Sequence, residues 1–164
     1  MIFINVLFSF SKGKLQEGDE LPESLTLINH ENKEVPVKEV VDGKWLVLYF
    51  YPKDQTPGCT AQAKAFSDHI QDFEKLGVQV VGVSSDDANS HRKFTEKHGL
   101  KVSLMSDKSG DFAKAFCVKL LFGMCSRDTI IIDPDGKVDK VYKGVSPKAN
   151  PLQVLDYLKQ KTEQ

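Results

Sequence analysis

Trp45-Leu46-Val47-Leu48-Tyr49-Phe50-Tyr51 runs directly into Pro52-Lys53-Asp54-Gln55-Thr56-Pro57-Gly58-Cys59-Thr60. The stretch to Tyr51 is continuously apolar or aromatic, too short for a helix and rich in strand formers. It reads as a central strand buried on both faces. Beyond Thr60, Ala63, Phe66, Ile70, Phe73 and Leu76 recur at steps of three and four, the spacing of an amphipathic helix. Thr56 suits the N-cap and Pro57 the first helical position. Cys59 then falls in the first turn, where unpaired backbone N–H groups and the positive end of the helix dipole favour a thiolate. Reactive groups in open α/β sheets sit in such loops, at the carboxyl ends of the strands.

The flanking sequence builds a sheet around this strand. Val78 to Ser84 and Thr129 to Asp133 are further apolar strand candidates. Asp133-Pro134-Asp135-Gly136 turns the second into Lys137 to Tyr142 as a hairpin. Leu25 to Ile28 is a shorter strand, ending at the turn-like Asn29-His30-Glu31-Asn32. Helical patterns cover Ala88 to His98 and Asp111 to Phe116. A C-terminal helix is expected to be capped by Asn150 and opened by Pro151, with Leu152, Leu155 and Leu158 inward. The sum is an α/β protein, a mixed central sheet flanked by helices. Ile2, Ile4, Val6, Phe8 and Phe10 alternate as in a strand, so residues 1–17 read as a strand-like extension ahead of one domain over 18–164. No Lys or Arg precedes that run and no small-residue cleavage site follows it, against a signal sequence.

Composition removes several function classes. At 164 residues, 40% hydrophobic and 27% charged, the chain has the make-up of one globular domain. Its 22 Lys+Arg against 23 Asp+Glu leave no basic excess to bind nucleic acid. No apolar run approaches the roughly 20 residues of a membrane helix. Three cysteines are too few, and odd in number, for a disulfide scaffold, which suits a cytoplasmic protein with working thiols. With no Cys-x2-Cys pair and scattered histidines, no metal site is expected; His91 and His98 fit one amphipathic face and Asp86-Asp87 a helix start.

Pro52-x3-Thr56-x2-Cys59 resembles the Pro-x3-Thr/Ser-x2-Cys signature of peroxiredoxins, and the whole string Tyr51 to Thr60 is similar to their Q branch, also called bacterioferritin comigratory protein. The likeness extends through Gly18-Asp19-x2-Pro22, Gly82-Val83-Ser84-x-Asp86 and Arg127-x-Thr129-x3-Asp133-x2-Gly136. It implies a thioredoxin-like fold and reduction of hydrogen peroxide or organic hydroperoxides without metal or flavin. Cys59 would be the peroxidatic nucleophile, oxidised to a sulfenic acid. Thr56 would hydrogen-bond the thiolate and the peroxide, Pro52 would shield the site, and Arg127 would hold the thiolate and the developing charge. The implied partners are a peroxide and a thiol reductant such as thioredoxin, glutaredoxin or glutathione, on a monomer or weak homodimer.

The chain departs from the branch where many members carry a resolving cysteine. Five residues after Cys59 stands Lys64, Gln62 replaces the usual Glu, and Ser84 to His98 holds no cysteine. A one-cysteine mechanism with an external thiol follows from the resemblance. Cys125, two residues before Arg127, shares its face if one strand runs through both, and is then a candidate resolver. Cys117 is a weaker candidate, read as a buried apolar cysteine or a loop thiol. Phe122-Gly123-Met124 is either an exposed apolar patch or core. Two other readings remain: a thioredoxin-like thiol–disulfide oxidoreductase, for which Thr56 and Gly58 supply no second thiol, and a non-enzymatic thioredoxin-like binding or holdase module.

Overall fold

The computed structural model describes residues 15–163, and the strand expected over Met1 to Phe10 lies outside them. Thr26–Ile28 (β1) turns back through Asn29 to Asn32 onto Glu34–Pro36 (β2), followed by the short helix Val37–Val41 (α1). The Asn29 side chain accepts from the Glu31 and Lys33 N–H groups, closing that turn. Trp45–Phe50 (β3) leads to Pro57–Asp68 (α2) and Ile70–Lys75 (α3). Next come Val78–Ser84 (β4), Ala88–His98 (α4), Ser103–Ser106 (β5) and Asp111–Ala115 (α5). A small hairpin, Leu120–Leu121 (β6) and Met124–Cys125 (β7), precedes Thr129–Ile132 (β8), Val138–Tyr142 (β9) and Asn150–Thr162 (α6).

The main sheet has the order β2-β1-β5-β4-β3-β8-β9. β3 lies parallel to β4 and antiparallel to β8, and β4 lies parallel to β5, so the sheet is mixed as expected. The period-two alternation of β3 divides the core. Leu46, Leu48 and Phe50 pack with α1 and α5 residues such as Val37 and Phe112. Val47, Tyr49 and Tyr51 pack on the other face with Phe66 of α2, Phe73 of α3, Phe94 of α4 and Leu155 of α6. Each of these buried large side chains contributes about 1.5–3 kcal/mol relative to exposure. β3 is thus sandwiched, and its carboxyl end is held from both sides.

The structure corrects several sequence expectations. The helix after Cys59 is two helices, because His69 (φ −106°, ψ 12°) leaves the helical conformation between Asp68 and Ile70. Phe66 and Phe73 still reach one core cluster, which is why the apolar spacing runs across the break. Asn150 does not cap α6; Ala149 occupies that position, and Asn150 is fully buried inside the first turn. Leu152 is 49% exposed, and Val154 joins Leu155 and Leu158 inward instead.

Candidate active site

Cys59 lies in the first turn of α2, directly after the loop that leaves β3, and is 1% exposed. Arg127, from the segment between β7 and β8, places Nη1 3.5 Å from its Sγ. The same Nη1 donates to Gln62 Oε1 at 3.1 Å. Gln62, one helical turn beyond Cys59 and fully buried, donates through Nε2 to Asn150 Oδ1 at 3.4 Å, which also accepts from the Thr129 hydroxyl at 2.8 Å. A buried chain of amides therefore aims the guanidinium at the sulfur, joining α2, β8 and α6. Gly58 makes room for it: a Cβ there would lie 3.0 Å from Arg127 Nη2.

Thr56 takes the N-cap position with extended backbone (φ −82°, ψ 153°), as the sequence predicts, and its carbonyl accepts from the Thr60 N–H at 2.9 Å. Its hydroxyl makes no capping bond; it donates to the Lys53 carbonyl at 2.8 Å. Pro52 is half-buried at the start of the same loop.

The other two cysteines stand apart from this cluster. Cys125 belongs to β7, which among the described residues pairs with β6 alone, whereas the strand beyond Arg127 starts at Thr129. No single strand carries Cys125 and Arg127, so the shared face expected from period two is not formed. Cys125 instead packs with Phe50, Met105 and Phe116 in the cluster opposite that of Cys59. Burial, reinforced by the carboxylates of Asp107, Asp128 and Asp86, pushes its thiol up to about 12. Cys117 is an exposed thiol just past α5, at a left-handed backbone position (φ 57°). Phe122 is 91% exposed and Leu121 66%, so the tip of the β6–β7 hairpin is an apolar patch rather than core.

A second polar cluster, which sequence reasoning missed, joins Asp54 of the loop before Cys59 to two residues further along the chain. Asp54, Asp86 and His91 hold ligand atoms within 4.8 Å of one another. Protein donors already engage them: Asp54 takes the Tyr51 and Ser90 hydroxyls, and Asp86 takes the Ser84 hydroxyl and the Asp54 N–H. His91 is not merely part of an amphipathic face; it is 3% exposed and bonded through both ring nitrogens. Of the Asp86-Asp87 pair only Asp87 caps α4, accepting from the Ser90 N–H at 2.8 Å, while Asp86 turns inward. Cys59 and Gln62 at a three-residue step on one helix was a legible signal for an orienting amide. The Asp54–His91 pairing spans two elements and left no local trace.

A thiol in the first turn after a central strand, with a guanidinium beside it, is thus set on a mixed sheet of thioredoxin-like fold. The AhpC/TSA family model matches residues 18–141, and the chain belongs to that family. Within it, the chain is 39% identical over 152 residues to a Helicobacter pylori relative named peroxiredoxin bcp, covering 88% of this chain and 99% of that one. It is 38% identical over 148 residues to chloroplastic peroxiredoxin Q of Suaeda salsa, covering 88% and 68%. Among solved structures, the Xanthomonas campestris bacterioferritin comigratory protein superposes with a TM-score of 0.80 at 32% identity, covering 90% of this chain and 99% of that one. Peroxidoxin BcpB of Mycobacterium tuberculosis gives 0.80 at 30% identity, covering 89% and 97%.

Proposed function

We propose that Cys59 is the nucleophile of this thiol-dependent peroxidase and that Arg127, Thr56 and the first-turn amides are its electrostatic partners. The observation that carries the reading is the Arg127 guanidinium, held 3.5 Å from Cys59 Sγ by the buried Gln62. The Cys59 thiolate attacks one peroxide oxygen and the O–O bond breaks. The departing oxygen takes the electron pair and leaves as hydroxide or alkoxide, to be protonated by solvent. Charge develops on that oxygen, so donors fixed in advance stabilise the transition state more than the ground state. The Gly58 and Cys59 N–H groups lie in the first turn of α2, and the Thr56 hydroxyl turns from the Lys53 carbonyl to the substrate. Pro52 keeps water from the sulfur.

Cys59 is left as a sulfenic acid. An external thiol attacks it, forming a mixed disulfide and releasing water; a second thiol then frees the Cys59 thiolate. The placement of Cys125 in the opposite core cluster supports this one-cysteine route. Thioredoxin, glutaredoxin or glutathione would supply the thiol, and a reducing cytoplasm suits the free cysteines. No helix among the described residues is long and apolar enough to cross a membrane. Alkyl peroxide reduction is attributed to the Xanthomonas campestris protein, which makes organic hydroperoxides a suitable first substrate here. Neither the disulfide oxidoreductase reading nor the binding module accounts for a guanidinium aimed at a lone first-turn thiol.

The test is peroxide consumption with a thiol reductant, with Cys59→Ser as control. Turnover that the substitution abolishes supports the reading, and a wild-type chain inert with every thiol overturns it. Mapping disulfides after one equivalent of peroxide checks the route: Cys59 oxidised alone is the expected product, and a Cys59–Cys125 bridge defeats the one-cysteine scheme.

A further inference from the structure

The loop from Pro52 to Thr56 is tied to the fold at Asp54, outside the groups assigned to the chemistry. Asp54 is 4% exposed. Its Oδ1 accepts from the Tyr51 hydroxyl at 2.6 Å, and its Oδ2 from the Ser90 hydroxyl at 2.8 Å. His91 Nδ1 lies 2.8 Å from the same Oδ2, and His91 Nε2 lies 3.2 Å from the Met105 carbonyl. The Asp54 N–H donates to Asp86 Oδ2 at 2.8 Å. One short loop is thus bonded to Tyr51 at the end of β3, to α4 and to the β4–α4 turn, and through His91 to β5.

The hydrogen-bond pattern assigns the protons. A carbonyl only accepts, so Nε2 bears a hydrogen. Both hydroxyls direct theirs at Asp54, and one more proton lies between Oδ2 and Nδ1. Whichever atom holds it, the Asp54–His91 unit is neutral as a whole. Burial alone would raise the Asp54 carboxyl, but the His91 and Tyr51 hydrogen bonds, the His91 charge and the Ser90 hydroxyl outweigh it and hold it below its usual range. Either way the two side chains form one buried, hydrogen-bonded unit.

Buried polar or ionic pairs contribute little net stability, and the best-attested use of one is to fix a single arrangement. The adjoining backbone calls for that. Gln55 sits at φ 69°, a left-handed position that a residue with a side chain holds only where its surroundings dictate it. Asp54 fixes one side of it; the Thr56 hydroxyl on the Lys53 carbonyl fixes the other. We propose that Asp54 and His91 are a positioning pair, holding the loop so that Thr56 and the first-turn amides meet a peroxide bound at Cys59. The proposal rests on the peroxidase reading.

The experiment compares His91→Gln, Asp54→Asn, the double variant and Ser90→Ala with the wild type. For each, the rate with hydrogen peroxide is set against the rate with iodoacetamide, which needs the thiolate but not the donors around a peroxide. Circular dichroism melts report folding. The expected result is a loss on the order of tenfold or more in peroxide rate for each large single variant. Alkylation should stay within about twofold, so the ratio of the two rates moves, which loss of stability alone would not cause. Because the residues act as one unit, the double variant should be no slower than the slower single. Ser90→Ala should move the ratio the same way by a smaller factor, and it decides the matter alone should a larger variant fail to fold. Folded variants with an unchanged peroxide rate, or with both rates falling in step, overturn the proposal. A wild type inert to peroxide removes the peroxidase reading and this proposal with it, whereas an active wild type with indifferent variants removes the proposal alone.

Discussion

Cys59 and Cys125 are buried alike, at 1% and 3% exposure, and lie in core clusters on opposite faces of β3. Their neighbours differ in sign. Cys59 has the Arg127 guanidinium at 3.5 Å and the first-turn amides of α2 around it. Cys125 has apolar side chains and the negative field of Asp107, Asp128 and Asp86. Burial by itself therefore says nothing about whether a thiol works; the charge within a few ångströms decides it.

The sharpest way to break that comparison is to titrate Cys125. Raised from 9.0 to about 12, it should hold roughly a thousandfold less thiolate near neutral pH than an ordinary cysteine. Mass-mapped alkylation should label Cys59 and the exposed Cys117 first, and Cys125 only near pH 12 or after unfolding. Labelling of Cys125 alongside Cys59 at neutral pH would remove the distinction. The stability consequence has a definite sign. The folded state keeps the Cys125 proton to higher pH than the unfolded chain does. This term is therefore flat below about 9.0 and lowers stability as pH rises from there towards 12.

Gly58→Ala tests the other half of the comparison, with a smaller effect. The added Cβ would meet Arg127 Nη2 at 3.0 Å, and that nitrogen is the far end of a flexible side chain. The guanidinium should yield by a few tenths of an ångström while the fold stays intact. The expected outcome is a peroxide rate lower by roughly ten- to a hundredfold, in line with weakening one preorganised donor, at an unchanged melting temperature. An unchanged rate would mean that the position of Arg127 is not what activates Cys59.

What the sequence displays and what it hides follows from the range of the interactions. The strands at Trp45–Phe50 and Val78–Ser84, the cap position of Thr56 and the helix over Ala88–His98 were legible, because each rests on local propensity and period. β2, β5 and the β6–β7 hairpin were not: they run two to four residues, too short to establish a period, and exist through their pairing with neighbours. Cys59 is legible from its place at a strand-to-helix junction, whereas Arg127 comes only through the family resemblance. Gln62 stands out in the sequence only as a departure from the family, although it is the group bonded to the Arg127 guanidinium. Asn150 reads as a helix cap, a local role, while its buried side chain bonds Thr129 and Gln62, distant in sequence. Asp54 and His91 are 37 residues apart, and only the packing of α4 against the β3 loop brings them together.

Tyr49→Phe is the gentlest probe of the difference between the two faces. The Tyr49 ring stacks on Phe66 with centroids 4.5 Å apart, in the cluster that contains Cys59. A Cβ on Gly82 would lie 2.6 Å from its Cζ, so glycine at 82 is what lets the phenol lie against β4. Its hydroxyl is buried with no hydrogen-bond partner among the described residues. Burial, then the charges of Cys59 and Asp54, push that phenol far above its usual range, so it stays protonated as an unused donor. Removing an unpaired buried hydroxyl while keeping the ring relieves its desolvation cost, which should stabilise the fold by about 1 kcal/mol and raise the melting temperature by roughly 2–4 °C. The peroxide rate should hold, because Arg127 is aimed through Gln62 and not through Tyr49. A stability gain with a full rate would mark the orphan hydroxyl as a tolerated cost of packing tyrosine beside Cys59. A stability gain with a slower rate would instead make Tyr49 part of what sets the Cys59 face apart from the Cys125 face.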